Sequence, residues 1–349
     1  MTRAAFAIPG DIELPTGGYM YDRRVLALLP QSGIEARHLP LPGSFPDPTL
    51  PDLEETARVL ASVPADEPIL IDGLAYGAMP RSIVDAAKAP IVALVHHPLC
   101  LETGLSDARR RTLRALETDA LEIARRVVVT SDVTRRTLIG EFAVPERKIT
   151  VAEPGTDPAP RAVGSRGGPL HLLSVGSVVP RKAFDLLVRA LGTLRDAQWR
   201  LTIAGPIDRN AESLAALHAA IADTGLEDRI AIVGAVDSRQ LAALYTEADV
   251  FIMASLYEGY GMVLAEAMAR GLPIVCTTGG AAAETVPDAA ALKVPPADKG
   301  ALALAIGRVV GDAALRGRLA DASWSAGQKL PRWEDTARII AGVIREAAT

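Results

Sequence analysis

Short apolar runs alternate with longer helical patterns along this chain, and the alternation runs twice. The first round has candidate strands at Ala4–Ile8, Ile34–Leu39, Ile69–Ile71, Ile91–Val95, Val127–Thr130 and Ile149–Ala152. The second has Leu170–Val175, Arg200–Ala204, Ile230–Val233, Val250–Ala254, Ile274–Thr277 and Ala291–Val294. Helical stretches such as Phe184–Leu194 and Leu214–Asp223 fall between them. Strand-helix-strand alternation of this kind specifies an α/β fold with parallel sheets covered by helices. The interval Glu153-Pro-Gly155-Thr-Asp157-Pro-Ala-Pro160, continuing to Gly167-Gly168-Pro169, is dense in Pro and Gly and reads as a linker. Two doubly wound domains are therefore expected, at 1–163 and 164–330, which suits a chain of 349 residues. A ligand cleft between the halves follows as an expectation.

Composition narrows the class. An apolar fraction of 49% with 23% charged residues describes an ordinary globular protein. A net charge of -5 argues against nucleic-acid binding by bulk electrostatics. Cys100 and Cys276 form neither a metal pattern nor a disulfide framework, which suggests a reducing, cytoplasmic setting. The first residues lack the apolar core of a signal peptide, and no apolar run reaches transmembrane length. Any membrane contact would be peripheral, on the inner face. The arginine-rich stretch from Arg109 to Arg136 admits such contact with anionic lipid headgroups. Glu117, Asp119, Glu122 and Asp132, interspersed with those arginines, favour a salt-bridged solvated face.

Chemistry-bearing residues gather where strands give way to helices, the edge at which such sheets bind ligands. Gly17 and Gly18 follow the first strand and would let backbone approach a ligand, without forming G-x-G-x-x-G. His96-His97-Pro98 closes the fourth strand, and a polar contact to substrate suits these histidines better than a metal. In the second half, Gly176-Ser177-Val-Val-Pro180-Arg181-Lys182 places two cations at the head of a helix, where they can neutralise a diphosphate. Loops at Gly205-Pro206, Gly234-Ala-Val236 and Gly279-Gly280 line the same edge.

The densest stretch is Leu256-Tyr-Glu258-Gly259-Tyr260-Gly261-Met262, running into a helix that carries Glu266 and ends at Gly271. Glu258 and Glu266 stand eight positions apart, flanking a helix N-terminus that suits an anionic ligand. A sugar nucleotide combines the phosphates and hydroxyls that such a site would take. Taken alone, the stretch fits a solvated helix start equally well.

With these elements in order, the chain resembles the GT-B glycosyltransferases, and specifically glycosyltransferase family 4. The resemblance rests on the E-x7-E pair Glu258 and Glu266, Gly17-Gly18, His96, Pro154-Gly155-Thr-Asp157, Pro180-Arg181-Lys182, and Gly279-Gly280 with Glu284. It implies two Rossmann-like domains facing a cleft, with the last helix, 331–349, crossing back to the N-terminal domain. It also implies retention at the anomeric carbon and no essential metal or other cofactor. The C-terminal domain would hold the nucleotide sugar and the N-terminal domain the acceptor.

By the same resemblance, Lys182 binds the donor diphosphate and Glu258 the sugar hydroxyls. Backbone around Gly259, Tyr260, Gly261 and Met262 meets sugar or phosphate, and Glu266 takes the ribose hydroxyls. Gly17 and Gly18 close on the phosphates, Gly205 and Val236 line the donor site, and His96 reaches the donor sugar. Two departures matter. Ser177 stands where the family usually has Arg, so Arg181 is expected to compensate; His97 replaces a common Asp, and His96 is favoured as the imidazole facing the sugar. The acceptor is expected to be a glycan, a lipid-linked or a small-molecule hydroxyl, with an envelope glycan preferred, and the donor a UDP- or GDP-hexose. A non-hydrolysing sugar-nucleotide epimerase of the same fold is the rival reading.

Overall fold

The computed structural model describes residues 2–349. The chain divides into two compact units, Met1–Gly155 with Pro331–Thr349, and Thr156–Leu330. The expected boundary at residue 163 lies a few residues past that division. Residues 156–165 instead run along the second unit, where Ala162 N–H bonds to Arg270 O at 2.9 Å and Val163 N–H to Thr246 O at 2.8 Å.

The first unit holds a parallel sheet of β1 (Thr2–Pro9), β2 (Ile34–Leu41), β3 (Ile69–Asp72), β4 (Ile91–Val95), β5 (Arg126–Val129) and β6 (Ile149–Val151), in the order β2-β1-β3-β4-β5-β6. β3 and β4 are buried along their whole length, which is why they read as unbroken apolar runs. The first part of the arginine-rich stretch lies on a helix, Asp107–Ile123, capped by Ser106. Its neighbourhood is salt-bridged: Arg109 pairs with Asp47, Arg114 with Glu141, and Arg135 and Arg136 with Asp132. The final helix, Trp333–Ala348, buries Ala337, Ile340 and Ile344 and packs on the helix Gly17–Leu28. Gly155 sits so close to its start that a Cβ there would fall 2.2 Å from the Trp333 nitrogen.

The second unit repeats the plan with β7 (Leu170–Val175), β8 (Trp199–Ala204), β9 (Ile230–Gly234), β10 (Val250–Met253), β11 (Ile274–Thr277) and β12 (Ala291–Val294), ordered β12-β11-β10-β7-β8-β9. All registers are parallel. One apolar cluster on the sheet centres on Leu172, Trp199, Ile252 and Ile306; another centres on Leu173, Phe251, Leu264 and Ile274. The strand order reverses between β7 and β10, and ligands of doubly wound sheets bind beyond the carboxyl ends at such a point. In the first unit the reversal lies between β1 and β3. No helix among the described residues is long and apolar enough to cross a membrane.

Candidate active site

The loops leaving β7 and β10 meet at the reversal point of the second sheet. Leu256 N–H bonds to Arg181 O at 2.7 Å, stitching the two loops together through backbone. The stitching continues on both sides. Gly176 N–H reaches Ala204 O, Val178 N–H reaches Pro206 O and Gly205 N–H reaches Gly234 O, each at 2.8 Å. Glu258 N–H bonds to Gly279 O at 3.2 Å, and Ala281 N–H returns to Glu258 O at 2.8 Å. The carboxyl edge is thus a continuous ledge of main chain. Glycine makes it possible: a Cβ on Gly205 would sit 2.1 Å from Gly176 O, and one on Gly279 2.2 Å from Leu256 O.

Arg181 and Lys182 lie in a short 3-10 turn, Pro180–Lys182, rather than in the first turn of the helix itself. Ala183 follows with φ 48°, a left-handed residue that turns the chain into the helix Phe184–Leu191. Lys182 Nζ donates to Glu258 Oε1 at 2.6 Å, and Arg181 Nη1 lies 3.1 Å from Glu258 Oε2 while donating to Tyr257 O at 2.8 Å. The Lys182 stem lies across Gly176, where a Cβ would come within 3.0 Å of Cε. Glu258 is only 6% exposed. Burial pushes its carboxyl up, but the charges of Lys182 and Arg181 outweigh that and hold it at about 2. The three residues form a largely buried ionic cluster in which two cations face one carboxylate.

Ser177 is half-buried one residue past Gly176, and its nitrogen lies 3.1 Å from where a Gly205 Cβ would stand. Gly205 is therefore a packing glycine for the neighbouring loop, a stronger constraint than ligand approach. Gly261, with φ 93°, caps the helix Met262–Ala269; Gly259 and Tyr260 precede it, and Thr285 Oγ1 donates to Tyr260 O at 2.6 Å. Val236 is half-buried just before the Asp237 cap of the helix Ser238–Glu247. Glu266 lies one turn inside its helix, where Tyr245 O–H donates to Oε2 at 2.8 Å. The Arg270 guanidinium stacks over Tyr245 at 4.5 Å from the ring centre. Burial raises the Glu266 carboxyl, against the opposing effects of Tyr245 and Arg270. Tyr245 went unrecognised in the sequence because an aromatic on an amphipathic helix resembles ordinary core.

The first unit carries a second polar cluster. Gly17 and Gly18, expected in a loop, are the first residues of the helix Gly17–Leu28, whose N-cap is Thr16. Gly18 lies under the His96 ring, with a Cβ position 3.6 Å from Cδ2 and Nε2. His96 Nε2 is 3.1 Å from Asp72 Oδ2 and 3.4 Å from Asp22 Oδ1. Asp22 is 0% and Asp72 3% exposed. Burial alone would push the imidazole down, yet Asp22 and Asp72 carry it up to about 10. Burial, then the Asp72 charge, raises Asp22 to about 7. His97 turns instead to Glu102, 3.2 Å away. Asp22 and Asp72 escaped the sequence reading, although an Asp ending a fully apolar strand at Ile69–Asp72 was a usable signal.

Residues 32–160 match the family model described as Glycosyltransferase Family 4, and residues 169–312 the model described as Glycosyl transferases group 1. The MMP alpha-(1->4)-mannosyltransferase of Mycolicibacterium hassiacum is 29% identical over 323 residues, covering 87% of this chain and 76% of its own length. The D-inositol 3-phosphate glycosyltransferase of Kineococcus radiotolerans is 34% identical over 182 residues, covering 47% of this chain and 42% of its own. Sucrose-phosphate synthase from Thermosynechococcus elongatus superposes with TM-score 0.81 at 21% identity, over 99% of both chains. Anabaena HepE, solved with UDP-glucose, superposes with TM-score 0.75 at 17% identity, over 99% of this chain and 98% of its own. Matches along both halves, on two six-stranded parallel sheets of GT-B type, lead to one conclusion: the chain belongs to the family 4, group 1 glycosyltransferases.

Proposed function

We propose that this glycosyltransferase moves a hexose from a UDP- or GDP-sugar to a hydroxyl acceptor, with retention at the anomeric carbon and without a metal at the donor. The observation that carries this reading is the Arg181–Lys182–Glu258 cluster at the β7/β10 reversal. Two cations beside one carboxylate put positive charge where a diphosphate can bind, a role a divalent ion fills elsewhere. Glu258 keeps the cations oriented and offers carboxylate oxygens to sugar hydroxyls. Glu266 offers an oxygen to the ribose, held at its angle by Tyr245. Ser177 brings no charge, so Arg181 shares the diphosphate with Lys182.

In this mechanism the bond between the anomeric carbon and the diphosphate oxygen lengthens, and negative charge grows on the leaving group next to Lys182 and Arg181. The acceptor hydroxyl adds to the anomeric carbon on the face the diphosphate leaves, and its proton passes to a departing phosphate oxygen. The acceptor is a glycan, a glycolipid or a small polyol. A relative named for D-inositol 3-phosphate supports a polyol acceptor.

The test is a thermal-shift panel of UDP-, GDP- and ADP-hexoses, since a true donor raises Tm by mass action. The stabilising donor is then incubated with polyol, sugar and glycolipid acceptors in the presence of EDTA, and the anomeric proton of the product is read by NMR. A retained configuration and full activity in EDTA are expected. An inverted product, or an epimerised donor formed without acceptor, would overturn the reading.

A further inference from the structure

Outside the donor cluster, the sharpest unexplained feature is the trio Asp22, Asp72 and His96 in the first unit. Its ligating atoms all lie within 4.8 Å of one another. Asp22 is fully buried, and neither of its oxygens reaches a hydrogen bond of good geometry. A buried carboxylate left this way is costly as an anion. Asp72 is differently placed: Oδ1 accepts from Leu74 N–H at 2.8 Å as a helix cap, and Oδ2 faces His96. Asp72 is thus the member with both oxygens engaged.

The ring itself is held from several sides. Tyr21 packs edge-on at 5.2 Å and anchors its own hydroxyl on Ala152 O at 2.8 Å. Thr130 Oγ1 donates to His96 O at 3.0 Å. With Nε2 committed to the two acids, Nδ1 has no hydrogen-bond partner among the described residues and is not shut away in the interior. The side chain keeps 22% exposure. The titratable groups facing the ring are Asp22 and Tyr21 from the helix after β1, and Asp72 from the end of β3. His97, beside it in the chain, is occupied with Glu102.

We propose that Asp22 and Asp72 are positioning residues that keep His96 an imidazolium with Nε2–H directed between them, so that the ring presents Nδ1–H as a hydrogen-bond donor to a substrate oxygen. Imidazolium with one carboxylate and one carboxylic acid carries no net charge and, unlike neutral imidazole with two carboxylic acids, makes the 3.1 Å contact between His96 and Asp72 an ion pair. Asp22 holds the extra proton, and its raised carboxyl marks the point near pH 7 at which the cluster turns net negative. The fixed ring then acts as a donor only and never as a base. It would bind a sugar hydroxyl or phosphoryl oxygen, and would not take up the acceptor's proton. This proposal rests on the reading that His96 meets substrate, and the two parts fail separately.

The test uses the full chain labelled with 15N-histidine, its ring nitrogens followed by long-range 1H-15N correlation, with His96 assigned by the signal lost in His96→Gln. The parent ring is expected to carry protons on both nitrogens at pH 8. In Asp22→Asn, and more so in Asp72→Asn, it should lose one by about pH 7, while Asp22→Glu restores the parent titration. The alkaline limb of kcat should move with the His96 titration, whereas a merely structural loss would lower activity equally at every pH. A neutral His96 in the parent at pH 7, or unchanged titrations in both Asn variants, would overturn the proposal. So would activity lost in EDTA and regained with zinc or manganese, which would make the trio a cation site. If the Asn variants fail to fold by circular dichroism, the parent spectrum decides alone. Ring protonation that follows the proposal in an enzyme whose His96→Gln variant turns over normally would leave the cluster intact and remove His96 from the substrate.

Discussion

Lys182 and Glu258, 76 positions apart in sequence, meet at 2.6 Å across two loops that their own backbones tie together. Each charge is nearly buried, so each depends on the other. Removing Glu258 should cost about 3–5 kcal/mol of stability, because it takes away the carboxylate that both cations face. Removing Lys182 should cost less, because Arg181 stays 3.1 Å from Glu258. Lys182→Ala and Glu258→Ala should each also lower kcat on the order of 10²- to 10³-fold, as for one lost transition-state donor. The double variant should lose less stability than the two singles summed. Urea denaturation of all three proteins, with turnover of the stabilising donor, checks this.

Gly205 illustrates how the ledge fails. Its φ of +144° and a Cβ position 2.1 Å from Gly176 O leave no room for alanine. Gly205→Ala should cost about 1–3 kcal/mol from backbone strain alone. It should also push the Gly176–Ser177 main chain aside, raising KM for the donor more than it lowers kcat. Gly317, which has nothing within 4 Å of its Cβ position, is the control.

Tyr245→Phe removes only the hydroxyl that donates to Glu266. Leaving a half-buried carboxylate oxygen without its donor should cost about 1–3 kcal/mol. If Glu266 takes the ribose, affinity for UDP or GDP should fall while affinity for free hexose does not change. Calorimetric titration of each ligand into parent and variant separates these outcomes.

The pH dependence of stability should carry the mark of Glu117. It is 1% exposed; Oε2 accepts from Leu99 N–H at 3.0 Å and Oε1 is buried without a partner. Burial pushes its carboxyl up to about 8, against smaller opposing effects from Leu99 N–H and Arg114. The folded state therefore keeps a proton that the unfolded chain releases near 4.5, and stability falls as pH rises from there to about 8. Glu117→Gln, which never ionises, should melt above the parent at pH 9 and at or below it at pH 5. A gain at pH 5 that vanishes at pH 9 would contradict the assignment.

Glu258 has the opposite sign. Its carboxyl, held at about 2, stabilises the fold above its ordinary value near 4.5, and that contribution is lost as pH falls towards 2. Parent and Glu258→Gln melting curves should therefore converge in acid and separate near neutrality, with the parent the more stable there.

Local chemistry was legible in the sequence. The central strands were visible because a parallel sheet buried on both faces needs continuous apolar runs, and Ile91–Val95, Leu170–Val175, Ile274–Thr277 and Ala291–Val294 appear with the expected bounds. Glu258, Arg181 and Lys182 were visible as charges beside glycines at strand ends, although each stretch taken alone fitted a solvated turn equally well. What the chain order could not reveal is which distant groups share one space. Gly17-Gly18 looked like a loop and is a capped helix start, because the Thr16 side chain accepts from Tyr19 N–H. Asp22 and Asp72 lie fifty positions apart, joined only when β1 and β3 become neighbours. Tyr245 reaches Glu266 only through side-chain packing between two helices. Periodicity and composition act within a few residues, so they determined the elements and the charged loops. Which groups pair, and hence which protons and charges the sites hold, depends on strand order and on burial, and only the tertiary structure decided it.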